Sequence, residues 1–542
     1  MKSDCLEATK RARSKAKAGW RRWMFPAAGL ASLLWFLFRV VPKPSRAAYP
    51  CQRAAAPLAG GFVVWAAGAL VSASLFRRAK KLWKRSQLAL ACACAAVAAI
   101  LAAGALLTAP EPAAKAEPNQ PIGVGKGIYP GRVVWAHDPS ATNWAGPGQG
   151  HWWESSHTNQ AAVDGMMSGA IRRLSGTSGD PQAWDALFRN FNRTHGVGDA
   201  GYQKGEKIAI KVNLVGCIFS EDNVDPKTYD LGGCRLDYMN ASPQMILALL
   251  RQLVNSAGVN PRDISVGDPT ALFPNQYYDM LHGEFPEVRY VDHAGGSEGH
   301  PRTRVAYSTI PLYWSSRPEG KTQDYIPVHY AEAKYLINMA NLKSHTMAGV
   351  TLCAKNHFGS LIRTPPDRGY YDMHGSTAQR TPGAGHYRDL VDLMGHAHLG
   401  GKTLLYLIDG LYPGVHPIEN APRKWSSAPF NGNWASSLLV SQDPVAIDSV
   451  GFDFLWTEWN NYPHMSGADD YLHEAALANN PASGIFYDPN HPVNTTRLAS
   501  LGVHEHWNNA QDKQYSRNLG KDEGIDLVRV EVPPRAAGSA QM

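Results

Sequence analysis

The seven cysteines of this 542-residue chain include no C-x-x-C pair, which leaves a four-iron cluster without a ligand set. No G-x-G-x-x-G follows a strand-like segment, and no Walker-type loop, G-x-S-x-G elbow or H-E-x-x-H helix occurs. These absences remove the usual signatures of dinucleotide binding, nucleoside triphosphate binding, serine hydrolysis and zinc proteolysis. Acidic residues are scarce in the first 110 positions, with 2 against 18 Lys or Arg, a net of +16. Residues 111–542 carry 35 basic and 44 acidic residues, a net of −9, so the basic excess is confined to the amino-terminal segment. No basic stripe accompanies the aromatics, and no nucleic-acid partner is expected.

That segment holds three apolar stretches, residues 24–41, 58–76 and 87–108. Each approaches the ~20 residues that cross ~30 Å of hydrocarbon as a helix. The flank KRARSKAKAGWRR and the loop RRAKKLWKR at 77–85 are strongly basic, whereas the loop at 41–56 is less so. The positive-inside bias then predicts a cytoplasmic amino terminus, about three transmembrane helices within residues 1–109, and an extracytoplasmic carboxy-terminal domain anchored at the cytoplasmic membrane. An alternative reading takes 24–41, after Arg21 and Arg22, as the apolar region of a cleaved signal. The Pro- and Ala-rich residues 110–127 read as a linker, and 128–542 as the α/β domain.

From residue 205 onward, short apolar runs alternate with helical patterns, which predicts an α/β class: a layered, mostly parallel sheet with flanking helices. Strands are expected at 207–212, 263–267, 288–291, 335–339, 403–408 and 437–440. Helices are expected at 181–193, 242–257, 386–395 and 444–457. Open α/β sheets bind ligands beyond the carboxyl ends of their strands. Polar residues stand at those expected ends: Lys211 and Asn213, Asp268, Asn341 and Lys343, Asp409, and Asp443.

Five stretches carry a resemblance: KVNLVG at 211–216, the strand ending at Asp268, NLKSHTMAGVTLCAKNHFGSL at 341–361, IDGLYPG at 408–414, and SLLVSQDPVAIDSVG at 437–451. Over about residues 205–506 the chain resembles the domain of unknown function 362 family, DUF362. The resemblance implies an α/β domain with a polar cleft and supplies no activity. Members of that family often carry a ferredoxin-type segment, from which this sequence departs.

The block at 341–361 sets Lys343, His345, Lys355, Asn356 and His357 among core-type residues, and burying an unpaired charge costs several kcal/mol. Lys343, His345, Lys355 and Asn356 are the candidate catalytic residues, and Lys211, Asn213 and His357 the candidate substrate-binding ones. Three lysines converging as point charges, with asparagine amides beside them, suit a carboxylate or phosphate. His345, two residues after Lys343, shares its face in an extended segment, where it suits a general acid/base or a metal ligand. Asp268, Asp409, Asp443 and Asp448 are candidate ligands for a divalent metal. The structural reading beside this is plain: Asp443 before Pro444 is an N-cap, and a lysine paired with a buried aspartate needs no function.

The H-x-H pairs at 396–398 and 504–506 have the alternate spacing that lets two imidazoles share a strand face. In an extracytoplasmic domain, Cys217 and Cys234 are expected to form a disulfide, with Cys353 a buried thiol. Two function classes follow. One is a membrane-tethered enzyme acting on an anionic small molecule or surface polymer; the other is a non-catalytic binding or assembly protein of the cell envelope. The lipid bilayer is the other expected partner.

Overall fold

The computed structural model describes residues 120–531 apart from 219–223, 232–236, 318–319, 363–371 and 417–420. Before residue 120 it describes residues 30, 31, 33–35, 38, 63, 66, 71, 73–84, 87, 92, 96 and 97. The chain divides into two compact units, Met1–Glu117 and Pro118–Met542. In the first, residues 73–83 are helical. Among the described residues no helix is long and apolar enough to cross a membrane. The three apolar stretches lie for the most part outside the described residues.

The second unit is built on a ten-stranded sheet. Its strands in chain order are β1 (Arg132–His137), β2 (Ile208–Val212), β3 (Ile264–Gly267), β4 (Arg289–Asp292), β5 (Thr303–Arg304), β6 (Tyr335–His345), β7 (Gly349–Thr351), β8 (Thr403–Gly414), β9 (Ser437–Ser441) and β10 (Asp526–Glu531). They lie in the order β10-β1-β9-β8-β6-β2-β3-β4-β5, with β7 folded back on β6. The sheet is mixed: β9 and β7 run against the other eight strands. The helices are α1 (Gln160–Ser175), α2 (Asp180–Thr194), α3 (Pro243–Arg251), α4 (Asn275–Glu284), α5 (Val328–Glu332), α6 (Cys353–Asn356), α7 (Asp389–Gly395), α8 (Pro444–Trp459) and α9 (Asp470–Ala476).

Two cores sandwich the sheet, and strand alternation assigns residues to them. Ile337 and Met339 of β6 join the core formed with α1, α2, α3 and α4, while Leu336 and Ala340 join the one formed with α5 through α9. A sheet covered on both faces needs apolar residues at consecutive positions, which is why TLLYLI in β8 is buried throughout. Helix starts are set locally. Ser242 Oγ accepts Met245 N at 3.4 Å with Pro243 in the first turn of α3. Asn159 caps α1, and Gly176 ends it in the left-handed region at φ 75°.

Three sequence expectations need correction. The expected helix at 242–257 keeps α-helical form only to Arg251 and continues as a π-helix over Gln252–Ser256. Residues 122–127, assigned to the linker by composition, are held in place. Ile122–Gly123 pairs antiparallel with Val503–His504, and Lys126 N donates to Asp443 Oδ2 at 2.8 Å. Third, Asp443 does not join the other strand-end residues. Because β9 is antiparallel to β8, Ser441 lies beside Tyr406 near the start of β8, so Asp443 emerges at the opposite edge of the sheet from Lys211 and Asp409.

Candidate functional site

The carboxyl ends of β2, β3 and β6 deliver Lys211, Asn213, Asp268 and Lys343 to one rim of the sheet, and α6 lies across it. Asn356, the last residue of α6, is the hub. Its Oδ1 accepts from Lys211 Nζ at 2.9 Å and from Asn213 Nδ2 at 3.0 Å. Its Nδ2 donates to Asn338 Oδ1 at 2.8 Å and Met339 O at 3.1 Å. Lys211 Nζ also donates to Asp268 Oδ2 at 3.0 Å and Val212 O at 2.5 Å, and Lys343 Nζ donates to Asn213 Oδ1 at 2.6 Å. Lys211 and Lys343 are both fully buried. Burial pulls the Lys211 ammonium below its usual range against the opposing pull of Asp268. It pulls Lys343 down further, helped by Lys211 and Lys355.

Lys355 differs from its two neighbours. Among the described residues its ammonium meets no carboxylate and no hydrogen-bond acceptor; the Phe358 ring lies 3.9 Å from it. Burial lowers its pKa to about 7, with Asp389 acting in the opposite sense. It lines a cleft of about 370 Å³, together with Asn213, Thr270, His345, Thr351 and His374. Gly359 admits this arrangement, because a Cβ there would stand 2.6 Å from Asp268 Oδ1 and 3.0 Å from Lys211 Nζ.

His345 reaches the same cleft from the end of β6. Its Nδ1 accepts Met347 N at 3.1 Å and Ala348 N at 3.2 Å, so the ring proton belongs on Nε2. Burial, then Lys355, His416 and His374, push its pKa well below the ordinary value. It is therefore a neutral imidazole with a fixed Nε2–H donor, poorly suited to take up a proton. His357 faces inward instead. Nε2 meets Asn338 Nδ2 at 3.0 Å, Nδ1 meets Ser360 Oγ at 2.9 Å, and burial lowers its pKa to about 3.

The expected anion grip is thus differently built. The Asn356 amide and the Asn213 Nδ2 are spent on the internal network, and Lys211 and Lys343 stand behind it. Lys355 is the lysine on the cleft wall. Thr351, in β7, was missed by sequence reasoning. Its Oγ1 is buried without a hydrogen-bond partner among the described residues and its side chain lines the cleft; the T-L-C-A-K-N spacing alone gives no signal of it.

The four aspartates proposed for a metal do not converge. Asp268 Oδ2 holds Lys211 and Leu214 N, and Oδ1 holds Thr270. Asp409 Oδ2 accepts Ser242 N and Oγ, both at 2.7 Å, and Oδ1 accepts Leu411 N at 3.0 Å. Asp443 caps α8 through Val445 N and Ala446 N, and its second oxygen accepts Lys126 N and Val503 N. Asp448 Oδ1 accepts Cys353 N at 2.7 Å, and Oδ2 accepts Ala354 N at 2.9 Å and Tyr471 OH at 2.9 Å. Backbone N–H groups and hydroxyls, with Lys211 at Asp268, fill these carboxylates. Burial raises Asp443 and Asp448 to about 6. Cys217 is buried, and Cys234, hence the expected bridge, lies outside the described residues.

Fold and site together define an α/β protein with a buried lysine–asparagine network behind a strand-end cleft. Residues 235–453 match the family model described as Domain of unknown function (DUF362), and the chain carries a domain of that family. The match runs from just before α3 through most of α8, and leaves Lys211 and Asn213, which touch Asn356 from β2 and the residues after it, outside its limits. No curated protein matches the chain.

Proposed function

We propose that the cleft binds a carboxylate- or phosphate-bearing substrate and that the protein is an enzyme. The observation that carries the reading is Lys355, a buried ammonium that meets no anion among the described residues while two further lysines stand behind it. Among the described residues Asp268 is the one carboxylate within ion-pair distance of Lys211, so an incoming anion relieves a surplus of positive charge. The roles divide by chemistry. A lysine with a pKa of about 7 exchanges a proton at neutral pH and suits general acid/base work. The neutral His345 offers its Nε2–H to a substrate oxygen, as a polarising donor rather than a proton carrier. Asn356 positions Lys211 and Asn213, and Asp448 positions α6.

The protein is read as tethered to the cytoplasmic membrane by its amino-terminal apolar stretches, with the α/β unit outside the cytoplasm; the charge asymmetry of the flanking loops supports this. A reporter fused after Glu117 tests it. Activity on the outer side is expected, and activity on the cytoplasmic side rejects the compartment.

Thermal-shift and calorimetric titration of the full chain with a panel of carboxylates, inorganic phosphate and phosphate esters tests the cleft. Stabilisation by one class, lost in Lys355→Met, is expected, with turnover of an ester of that class. Binding without turnover of any panel member would reduce the protein to a binding module of the cell envelope.

A further inference from the structure

The H-x-H spacing at 504–506 puts two imidazoles on one side of an extended segment, and Val503–His504 carries that segment to α9. Asp469 precedes α9 without capping it; its carboxylate turns to the histidines, with Oδ2 3.1 Å from His506 Nε2. His473, four residues on and hence on the same helix face, has its Nε2 3.2 Å from His504 Nε2 and 3.8 Å from Asp469 Oδ2. One ligand atom each from Asp469, His504 and His506 fall within 4.8 Å of one another, and no other such His/Cys/Asp/Glu group of three occurs among the described residues.

Hydrogen bonds behind the rings aim the nitrogens. Ser449 Oγ donates its one proton to Val445 O at 2.7 Å, so toward His504 Nδ1, 2.9 Å away, it can only accept. His504 therefore carries its proton on Nδ1 and presents a bare Nε2 to the cluster. His506 Nδ1 lies 2.7 Å from Asp453 Oδ1. Asp453 is itself held by Trp507 N at 2.9 Å and Tyr515 OH at 2.8 Å. A carboxylate or hydroxyl fixing the far nitrogen of each ring is the outer shell that metal-binding histidines need.

We infer that Asp469, His504 and His506 bind a divalent transition metal of the zinc class, with His473 as the fourth donor. Bonds of about 2.0–2.1 Å in a tetrahedron set ligand atoms roughly 3.3 Å apart; the 3.1 and 3.2 Å separations fit its edges, and the 3.8 Å between His473 Nε2 and Asp469 Oδ2 closes to that length with a small turn of the exposed His473 ring. Three imidazoles and one carboxylate favour zinc over the hard ions calcium and magnesium. The His473 and His506 side chains are 47% and 41% exposed, which gives the ion an entry path. With four protein donors the site is a staple joining α9 to the 503–507 segment, and α8 holds the rings from behind through Ser449 and Asp453.

The test uses the full chain, stripped with a chelator and titrated with Zn²⁺ and with Co²⁺. Expected are one equivalent bound, a raised melting temperature, and the visible absorption of tetrahedral Co²⁺. His504→Gln and His506→Gln should weaken Zn²⁺ binding at least about 100-fold, and Ser449→Ala by about 10- to 100-fold. His473→Gln separates metal loss from misfolding: its metal-free form should melt like the stripped wild type while the Co²⁺ spectrum changes. A stripped chain that takes up no Zn²⁺ at micromolar concentration, an octahedral Co²⁺ spectrum, or His504→Gln and His506→Gln variants that keep the ion would overturn the assignment.

Discussion

Asp448, on α8, accepts the backbone N–H groups of both Cys353 and Ala354, so a carboxylate one helix away sets where α6 begins. A four-residue helix has no stability of its own. Its place, and with it the direction of Lys355 and Asn356, is imposed by this bond pair. Asp448→Asn substitutes one acceptor and one donor for two charged acceptors. The loss expected is about 2–3 kcal/mol by denaturant unfolding, whereas Tyr471→Phe, removing one neutral donor, costs about 0.5–1.5 kcal/mol. Equal effects would mean that α6 does not depend on the cap.

Lys211 and Lys355 are both buried lysines with opposite expectations. Lys211→Met leaves Asp268 buried without its cation and should cost about 3–5 kcal/mol. Lys355→Met removes a desolvated charge that meets no carboxylate among the described residues, and stability should stay level or rise. If Lys355→Met collapses the fold as a core deletion does, Lys355 is a structural partner and the proposed role of the cleft fails with it.

The pH dependence of that comparison has a definite sign. Folded Lys355 has a pKa of about 7 against the ordinary 10.5. Between those values the unfolded chain holds a proton that the folded chain has released, so stability rises with pH across the window. Asp389, raised by burial to about 7 from 3.8, acts below it: the folded chain holds the extra proton, and stability falls as pH climbs from about 4 to 7. The stability advantage of Lys355→Met over wild type should therefore be largest near pH 7 and shrink toward pH 10.5. Urea melts of both proteins at several pH values would show it, and an advantage constant with pH would reject the lowered pKa.

Peptide mass mapping under non-reducing conditions addresses the thiols. A linked pair of peptides containing Cys217 and Cys234, with Cys353 recovered as a thiol, is the outcome expected of an extracytoplasmic domain. Cys353 should resist alkylation in the folded protein, since burial beside Asp448 holds its pKa far above the usual thiol range. Recovery of Cys217 and Cys234 as separate thiols would count against both the bridge and the compartment.

Much of the sheet was readable because fully covered strands are written as continuous apolar runs. KIAIKV, DISVG and SLLV locate β2, β3 and β9 within about a residue. Strand direction is not written that way, so Asp443 was grouped with residues at the other edge. β1 and β10 join the sheet from opposite ends of the unit, a pairing that no local pattern encodes. The residues of the lysine cluster were legible as charged positions inside apolar runs. Which of them faces the cleft was not, because that depends on Asn356 spending its amide inward. The histidine pair at 504–506 was visible as a spacing, but its partners Asp469 and His473 come from a helix whose packing against that segment the sequence does not announce.

The clasp between Ile122–Gly123 and Val503–His504, together with the Lys126 bond to Asp443, has a mechanical meaning. Tension transmitted along the chain into the α/β unit is borne first by a two-residue antiparallel pair, by Val124 N on Gly502 O and Ser500 Oγ, and by one carboxylate oxygen. Those lie at the sheet edge remote from Lys355, so a tug on the chain is absorbed before it can distort the cleft. The first segment to feel such a load is the one that carries His504.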